Sequence, residues 1–588
     1  KSYSVPYKQE FAFEHVVIPV LYTATVTEFI EYGLHAAELS RYSGCWVALK
    51  LVGPLCDGGE VVRFSGDPWP VELPPLTIDG KPFRKQANFK FFPVLNIETE
   101  RQLYVERHAA ARAYGRVNGL NRLTVRGAVD RIGIISAGKS YTDTRQALED
   151  LGLDDAGLQA AGIRVAKIGM LCPLDVEFVR DFARGLEQII VIEEKRDFLE
   201  RQIGRAVCDL GPIRVLGKYD ADGRPLCPVE GGMSSDMIAE LLGRVLGTES
   251  ILPAAAAERL DVLRQVSERN CLPQPRRTLN FCSGCPHNVS TLLAPGQVAW
   301  GAPGCHIFAA VMDKPEKRIE AVTQFGGEGL PWIGLAPFTS RKHIVQNLGD
   351  GSLLHSSYQN IRFAVSAGVN ITFKILFNGV IANTGGQKSI GEMPIPTLVS
   401  HLALDGVARI VLIAKDSSRY RHITWPARVV VRAAADLEAS MQELAATAGT
   451  TILIYDGECA NERRRRQKRG TLPAPTRFTV VNEDVCENCG NCGEVANCMS
   501  LQKVETLFGP KTQIHQSSCN QDFTCIGGQC PSFVIVEGGP GIRMRRPEPQ
   551  QIATTSIPEP RLPALSRPYT IYIPGLGGTG GRTANASL

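Results

Sequence analysis

No run of apolar residues in this 588-residue chain approaches the ~20 needed to span a bilayer, so no membrane partner is expected. Charge of one sign is equally scarce. The 64 Lys and Arg against 60 Asp and Glu leave a net charge of only +4, which argues against a nucleic-acid-binding surface. The opening residues, K-S-Y-S-V-P-Y-K-Q-E, lack the apolar centre of a signal peptide, and a cytoplasmic location is expected. They also lack a Met, which points to a start that is processed or cut. No repeat of fixed period is visible, so a solenoid is excluded. What is present is an ordinary globular composition, 44% hydrophobic and 21% charged, with length enough for three or four domains. Cysteine is abundant: there are 17, seven of them between Cys486 and Cys530. In a reducing compartment such cysteines bind metal or do redox chemistry more often than they form disulfides.

The chain has an α/β rhythm. Residues 1–125 mix helical patterns such as Val26–Ser40 with short strands and proline-rich loops. In 126–245 the strands Arg131–Ala137, Arg164–Ile168 and Gln188–Glu193 alternate with helices, which implies a parallel sheet. Residues 246–275 read as a helical connector and 276–460 as a second α/β unit. The basic run N-E-R-R-R-R-Q-K-R-G opens 461–475, read as a solvated linker. A cysteine-rich module follows over 476–540, then a proline-rich linker and G-L-G-G-T-G within 541–588. That glycine turn begins like a phosphate-binding βα unit, and is expected to be the truncated start of a further domain without function here.

Within the second α/β unit, Ile344–Leu348 is expected to be a buried strand ending at Gly349-Asp350-Gly351, and Ile371–Phe377 a strand ending at Asn378. Both polar side chains then emerge at one edge of a parallel sheet, where α/β folds place ligands. A carboxylate and an amide oxygen, 28 positions apart (378 − 350), suit Mg2+, which takes oxygen ligands in near-octahedral geometry. The flanking glycines let the backbone close around a diphosphate. G-D-G followed by Asn at this distance resembles the diphosphate-binding motif of thiamine-diphosphate (ThDP) enzymes. That resemblance implies Asp350, Asn378 and the Val380 carbonyl as Mg2+ ligands, with Thr384-Gly385-Gly386 closing the second loop.

C-E-N-C-G-N-C supplies Cys486, Cys489 and Cys492 in the C-x2-C-x2-C spacing of bacterial ferredoxins. Cys530, followed by Pro531, looks like the closing C-P of such a run, which groups it with those three. Cys498, Cys519 and Cys525 form a second group one ligand short of a quartet. It could carry a three-iron cluster, use a non-cysteine ligand, or be structural. Zinc on two quartets is the rival reading and meets the same shortfall. Upstream, F-C-S-G-C-P-H-N gives Cys282 and Cys285, A-P-G-C-H gives Cys305, and D-G-E-C-A gives Cys459.

Taken in order, C-x2-C, G-C, G-D-G, Asn, T-G-G-Q and a late Cys resemble the cofactor domain of 2-oxoacid:ferredoxin oxidoreductases, closest to the fused indolepyruvate ferredoxin oxidoreductase branch. Q-F-G-G-E-G-L-P-W-I-G-L-A-P-F, Q-S-S-C-N-Q-D-F-T-C and L-S-R-Y-S-G-C-W-V extend the likeness over essentially the whole chain. The resemblance implies the remainder of a pyrimidine-binding thiamine domain over 1–125 and a transketolase C-terminal-like domain over 126–245. It implies a diphosphate-binding domain over 276–460 and a ferredoxin-like 4Fe–4S module over 476–540. It also implies a cluster on Cys282, Cys285, Cys305 and Cys459, and places His287 and His306 either at the cofactor or hydrogen-bonded within turns.

Enzymes of this kind decarboxylate a 2-oxoacid, capture the acyl group on coenzyme A, and pass electrons through two or three clusters to ferredoxin. Indolepyruvate or another aryl pyruvate is the expected substrate. The glutamate that activates thiamine would lie upstream of Lys1, so an internal fragment is expected, completed by a homo-oligomer or a companion chain. A non-redox ThDP decarboxylase with structural zinc, and a non-catalytic electron-transfer piece, are the alternatives.

Overall fold

The structure is a computed structural model that describes residues 8–62, 70–86, 93–248, 251–269, 279–312, 314–389, 391–528 and 530–538. The G-L-G-G-T-G turn lies outside the described residues, as does Cys271. The chain divides into two compact units, one drawn from Lys1–Pro273 and the other from Gln274–Pro558. Among the described residues no helix is long and apolar enough to cross a membrane.

The first unit is built on a five-stranded sheet. Its order is Arg214–Leu216, Gln188–Ile192, Ile132–Ala137, Ile163–Ile168 and Arg122–Val125, parallel except for the last. The central strands are buried along their whole length, which is why they read as continuous apolar runs rather than alternating ones. A three-stranded sheet joins it, with Met170–Cys172 antiparallel to Val20–Tyr22. Val20 and Tyr22 share one apolar cluster with Ile135 and Ile189, so 1–125 and 126–245 have a core in common. Arg164, buried on Ile163–Ile168, is held by Asp130 at 3.0 Å and donates to the Phe182 carbonyl at 2.7 Å. The expected connector contains the helix Ala255–Arg269.

The second unit carries a seven-stranded, wholly parallel sheet. Its order is Ile319–Val322, Ala299–Gly301, Ile344–Gly349, Ile371–Phe377, Thr450–Asp456, Arg409–Ala414 and Val429–Ala433. After Ala299–Gly301 the chain first adds Ile319–Val322 on one side, then returns to add Ile344–Gly349 on the other. That reversal opens a crevice outside the carboxyl ends of the strands, where such sheets place their ligands. Apolar clusters cover both faces, one around Phe373 and Ile452 and one around Phe281 and Leu453.

The basic stretch is not a linker. Ala460–Lys468 is a helix that starts directly after Cys459. Arginine is a good helix former, Glu462 sits in the first turn and Arg465, Arg466 and Lys468 in the last, so the charges run with the helix dipole. Its side chains are anchored: Arg464 donates to the Ser517 carbonyl and Arg465 to the Gly385 carbonyl at 2.8 Å. The cysteine-rich module beyond it consists of two antiparallel ribbons, Arg477–Val481 with Phe533–Glu537 and Leu501–Thr506 with Gly509–Ile514.

Candidate cofactor site at the carboxyl edge of the parallel sheet

Four neighbouring strands of the second unit deliver the candidate residues to one edge. Cys305 and His306 follow Ala299–Gly301, Asp350 follows Ile344–Gly349, Asn378 follows Ile371–Phe377, and Cys459 follows Thr450–Asp456. Asp350 does not sit in an open turn. It begins a short helix, Asp350–Ser352, and is 4% exposed. Its Oδ1 accepts the Gly351 N–H at 2.8 Å, and its Oδ2 accepts those of Asn378 at 3.0 Å and Gly379 at 2.7 Å. Burial nevertheless pushes this carboxyl above its usual range, with the three amides opposing the rise. Asn378 Oδ1 accepts the Val380 N–H at 3.0 Å. Asp350 therefore ties its own loop to the next one through the backbone of Asn378 and Gly379.

Around them the structure offers unpaired polar groups. Ser389 carries a buried hydroxyl with no partner, 3.6 Å from where a Cβ on Gly351 would stand. The Asn347 amide, three residues before Asp350, is wholly buried and unpaired at both atoms. A Cβ on Gly351 would meet Ile381 at 3.1 Å, so glycine keeps this floor open. A buried carboxylate, an amide oxygen and spare hydroxyl and amide groups fit a diphosphate held through a hard cation. The second loop is closed by Thr384 Oγ1 donating to Gln387 Oε1 at 2.8 Å and by Arg465 on the Gly385 carbonyl. Gly385 and Gly386 have φ of +127° and +83°.

The thiols fall into three neighbourhoods. Cys305 is pushed up to about 12 by burial, then by negative charge on Cys459, Cys282 and Asp350. Cys285 is raised by burial and, more weakly, by negative charge on Cys282, Cys305 and Cys459, so these thiols lie near enough to act on one another. Cys459 is raised by burial, against the amides of Glu462 and Asn461 at the start of the basic helix. Asn461 Nδ2 also donates to Cys282 Sγ at 3.1 Å. In the module, Cys492 is raised by burial and then by Cys530 and Cys486. Cys519 feels Cys498, and Cys525 feels Cys519 and Cys498. Cys489 is exposed. Burial would raise the Cys486 thiol, but amides of Thr512 and Asn488, each 3.4 Å from Sγ, and the Lys511 ammonium bring it below the ordinary value. Among the described residues no three Cys, His, Asp or Glu side chains converge tightly enough for a single ion.

His287 and His306 are both fully buried and hydrogen-bonded within their own turns. His287 Nδ1 pairs with Ser290 Oγ at 3.1 Å, and His306 Nε2 accepts the Ala302 N–H at 3.3 Å. Burial lowers them to about 4 and about 3, which keeps both rings neutral. Sequence reasoning missed Glu328. Its wholly buried carboxylate accepts the hydroxyls of Ser352 and, at 2.5 Å, Ser357, and so clamps the helix that Asp350 opens. G-G-E-G is visible in the sequence, but its partners lie 24 and 29 positions on.

Fold and site describe an α/β protein in which a buried carboxylate, an amide oxygen and thiols follow neighbouring strands at one sheet edge. The indolepyruvate oxidoreductase domain family matches residues 122–270. An indolepyruvate oxidoreductase subunit IorA of Pyrococcus horikoshii is 23% identical over 513 residues, covering 82% of this chain and 72% of its own. The IorA subunit of Archaeoglobus fulgidus is 26% identical over 421 residues, 69% of this chain and 59% of its own. The chain is thus similar in sequence to indolepyruvate oxidoreductase subunits over much of its length. A solved 2-oxoglutarate:ferredoxin oxidoreductase of Magnetococcus marinus is 16% identical and covers 38% of this chain and 78% of its own at a TM-score of 0.25, too distant to superpose a site.

Proposed function

We propose that this chain serves ThDP-dependent oxidative decarboxylation of a 2-oxoacid, indolepyruvate or another aryl pyruvate, to an acyl-CoA, with electrons leaving through 4Fe–4S clusters to ferredoxin. The observation that carries the reading is Asp350, a buried anion that lies beside Asn378 and also acts on the thiol of Cys305. One protein edge thereby combines ligands for a hard cation with ligands for a soft cluster. When bound, thiamine diphosphate supplies the decarboxylation chemistry and the clusters a one-electron outlet.

The chain's own residues would do the holding. Asp350, Asn378 and the Val380 carbonyl would take Mg2+, with Gly349 and Gly351 letting the backbone close on the diphosphate. Thr384, Gly385 and Gly386, pinned by Arg465, would cover it. The neutral rings of His287 and His306 would face the cofactor as uncharged walls, placing no positive charge against the substrate carboxylate. Cys282, Cys285, Cys305 and Cys459 would hold the nearest cluster, and Cys486, Cys489, Cys492 and Cys530 another. The relatives are named as subunits, and a companion chain would work beside this one.

The test is anaerobic purification with analysis of iron, acid-labile sulfide and zinc. Aryl pyruvate, CoA, ThDP and Mg2+ would then be added together with the companion chain and a viologen dye. Iron with matching sulfide, and dye reduction that needs every component, are expected. Zinc without sulfide, or CO2 release that needs no electron acceptor, would overturn the reading.

A further inference from the structure

Cys498, Cys519 and Cys525 are three thiols where a cubane asks for four ligands, and the loop that carries two of them is oddly wound. Between Cys519 and Cys525 the chain places two non-glycine residues in the left-handed region, Gln521 at φ +48° and Phe523 at φ +61°. Such residues are uncommon, and where they persist the surroundings hold them for a reason. Here they flank a single acidic residue, Asp522. Thr524 donates its hydroxyl to Asp522 Oδ2, and Lys415 Nζ donates to the Asp522 carbonyl at 3.2 Å. Among the described residues no donor is bonded to Oδ1.

The opposite wall is shaped for this carboxylate. Gly284, in the turn between Cys282 and Cys285, has φ +67°, and a Cβ there would stand 3.1 Å from Asp522 Cβ and 3.2 Å from Cγ. Neighbouring bonds fix the same wall: Asn520 Nδ2 donates to the Ser283 carbonyl at 2.7 Å, and Ser500 Oγ to Ser283 Oγ at 2.7 Å. Asp522 also adds negative charge at two of these thiols, after Cys498 at Cys519 and ahead of the other thiols at Cys525. Cys525 is pushed up to about 12 by burial and then by Asp522, ahead of Cys519 and Cys498. The other donors nearby are engaged. His515 pairs with Ser518 through Nδ1 and with Ser517 through Nε2, each at 2.9 Å, and Gln521 Nε2 donates to the Cys519 carbonyl at 3.0 Å.

We propose that the Asp522 carboxylate is the fourth ligand, beside Cys498, Cys519 and Cys525, of an iron–sulfur cluster separate from that of Cys486, Cys489, Cys492 and Cys530. The inference rests on the iron–sulfur reading above. A carboxylate is a harder and weaker ligand for cluster iron than a thiolate, so the iron it holds is the one an oxidant removes first.

The experiment uses the full chain, reconstituted anaerobically and followed by iron count and electron paramagnetic resonance. Brief ferricyanide oxidation of the unaltered chain is expected to convert one cluster to a three-iron form that recovers with Fe2+ and reductant. Asp522→Cys should resist that conversion. Asp522→Asn should carry the three-iron signal as isolated and lack about one iron per chain. An Asp522→Asn chain with unchanged iron and spectrum would overturn the assignment, as would an Asp522→Cys chain that still loses its iron. An unaltered chain holding zinc and no sulfide would instead bring down the iron–sulfur reading itself.

Discussion

Replacing Asp350 by Asn separates the two roles of this side chain. The carboxylate takes three backbone N–H bonds, one on Oδ1 and two on Oδ2. An amide in the same position has one oxygen. Turned toward Asn378 and Gly379 it keeps two donors paired, but sets its own NH2 against the Gly351 N–H. A buried donor left unpaired costs about 1–3 kcal/mol. The two surviving bonds also lose the strengthening that a charged acceptor gives. Relief of a buried charge offsets part of this, since burial already pushes the Asp350 carboxyl up. A net loss of about 1–3 kcal/mol is expected without any ligand, or a few degrees in Tm for a unit of this size. Thermal unfolding with and without ThDP and Mg2+ is the assay. Ligand at ~100 times its Kd should stabilise the unaltered chain by about 2.7 kcal/mol and leave Asp350→Asn unmoved. Unchanged ligand-free stability would refute the account of the three amides, and an unchanged ligand shift would refute the cation-binding role.

Lys374 is wholly buried, donates to the Ser290 and Leu292 carbonyls at 3.0 and 2.6 Å, and is lowered by burial to about 7. Between about pH 7 and 10 the unfolded chain holds a proton there that the folded chain does not, so stability should rise with pH at up to ~1.4 kcal/mol per unit. Urea midpoints across that range should lose this rise in Lys374→Met, and an unchanged slope would exclude Lys374 as its source. Gly386→Ala forces a left-handed alanine whose Cβ would lie 2.5 Å from Arg465 Nη1. It should cost about 1–2 kcal/mol from the backbone alone, and weaken ThDP–Mg2+ binding by releasing Gly385. Gly379→Ala, with φ +77° and nothing within 4 Å, should show only the backbone cost, and equal losses at both sites would exclude the Arg465 contact as a cause.

The parallel sheet was legible because its central strands are buried on both faces. I-V-Q-N-L before Gly349 and I-T-F-K-I-L-F before Asn378 are apolar runs closed by turn residues, so their carboxyl ends could be read to within a residue. The basic helix was not legible. N-E-R-R-R-R-Q-K has no apolar stripe, and its partners at Gly385 and Ser517 lie 80 and 53 positions away. The same holds for the carboxylates of Glu328 and Asp522. Their residue types were in plain view, but their meaning depends on hydroxyls and a glycine that only the fold brings near. The common core of 1–125 and 126–245 was hidden for another reason: Met170–Cys172 is only three residues long and pairs backwards with Val20–Tyr22.

Because Ala460–Lys468 is a helix rather than a tether, length becomes a strict variable at this point in the chain. In a flexible linker a doubling of length costs only about 0.6 kcal/mol, so insertions drift in and out freely. In a helix each added residue turns everything beyond it by about 100° and shifts it by 1.5 Å. One insertion between Cys459 and Arg464 would swing Arg464 and Arg465 off Ser517 and Gly385 together. Tolerance to insertion should therefore be low across these nine residues, although their composition alone would mark them as the natural place to cut, tag or splice the chain.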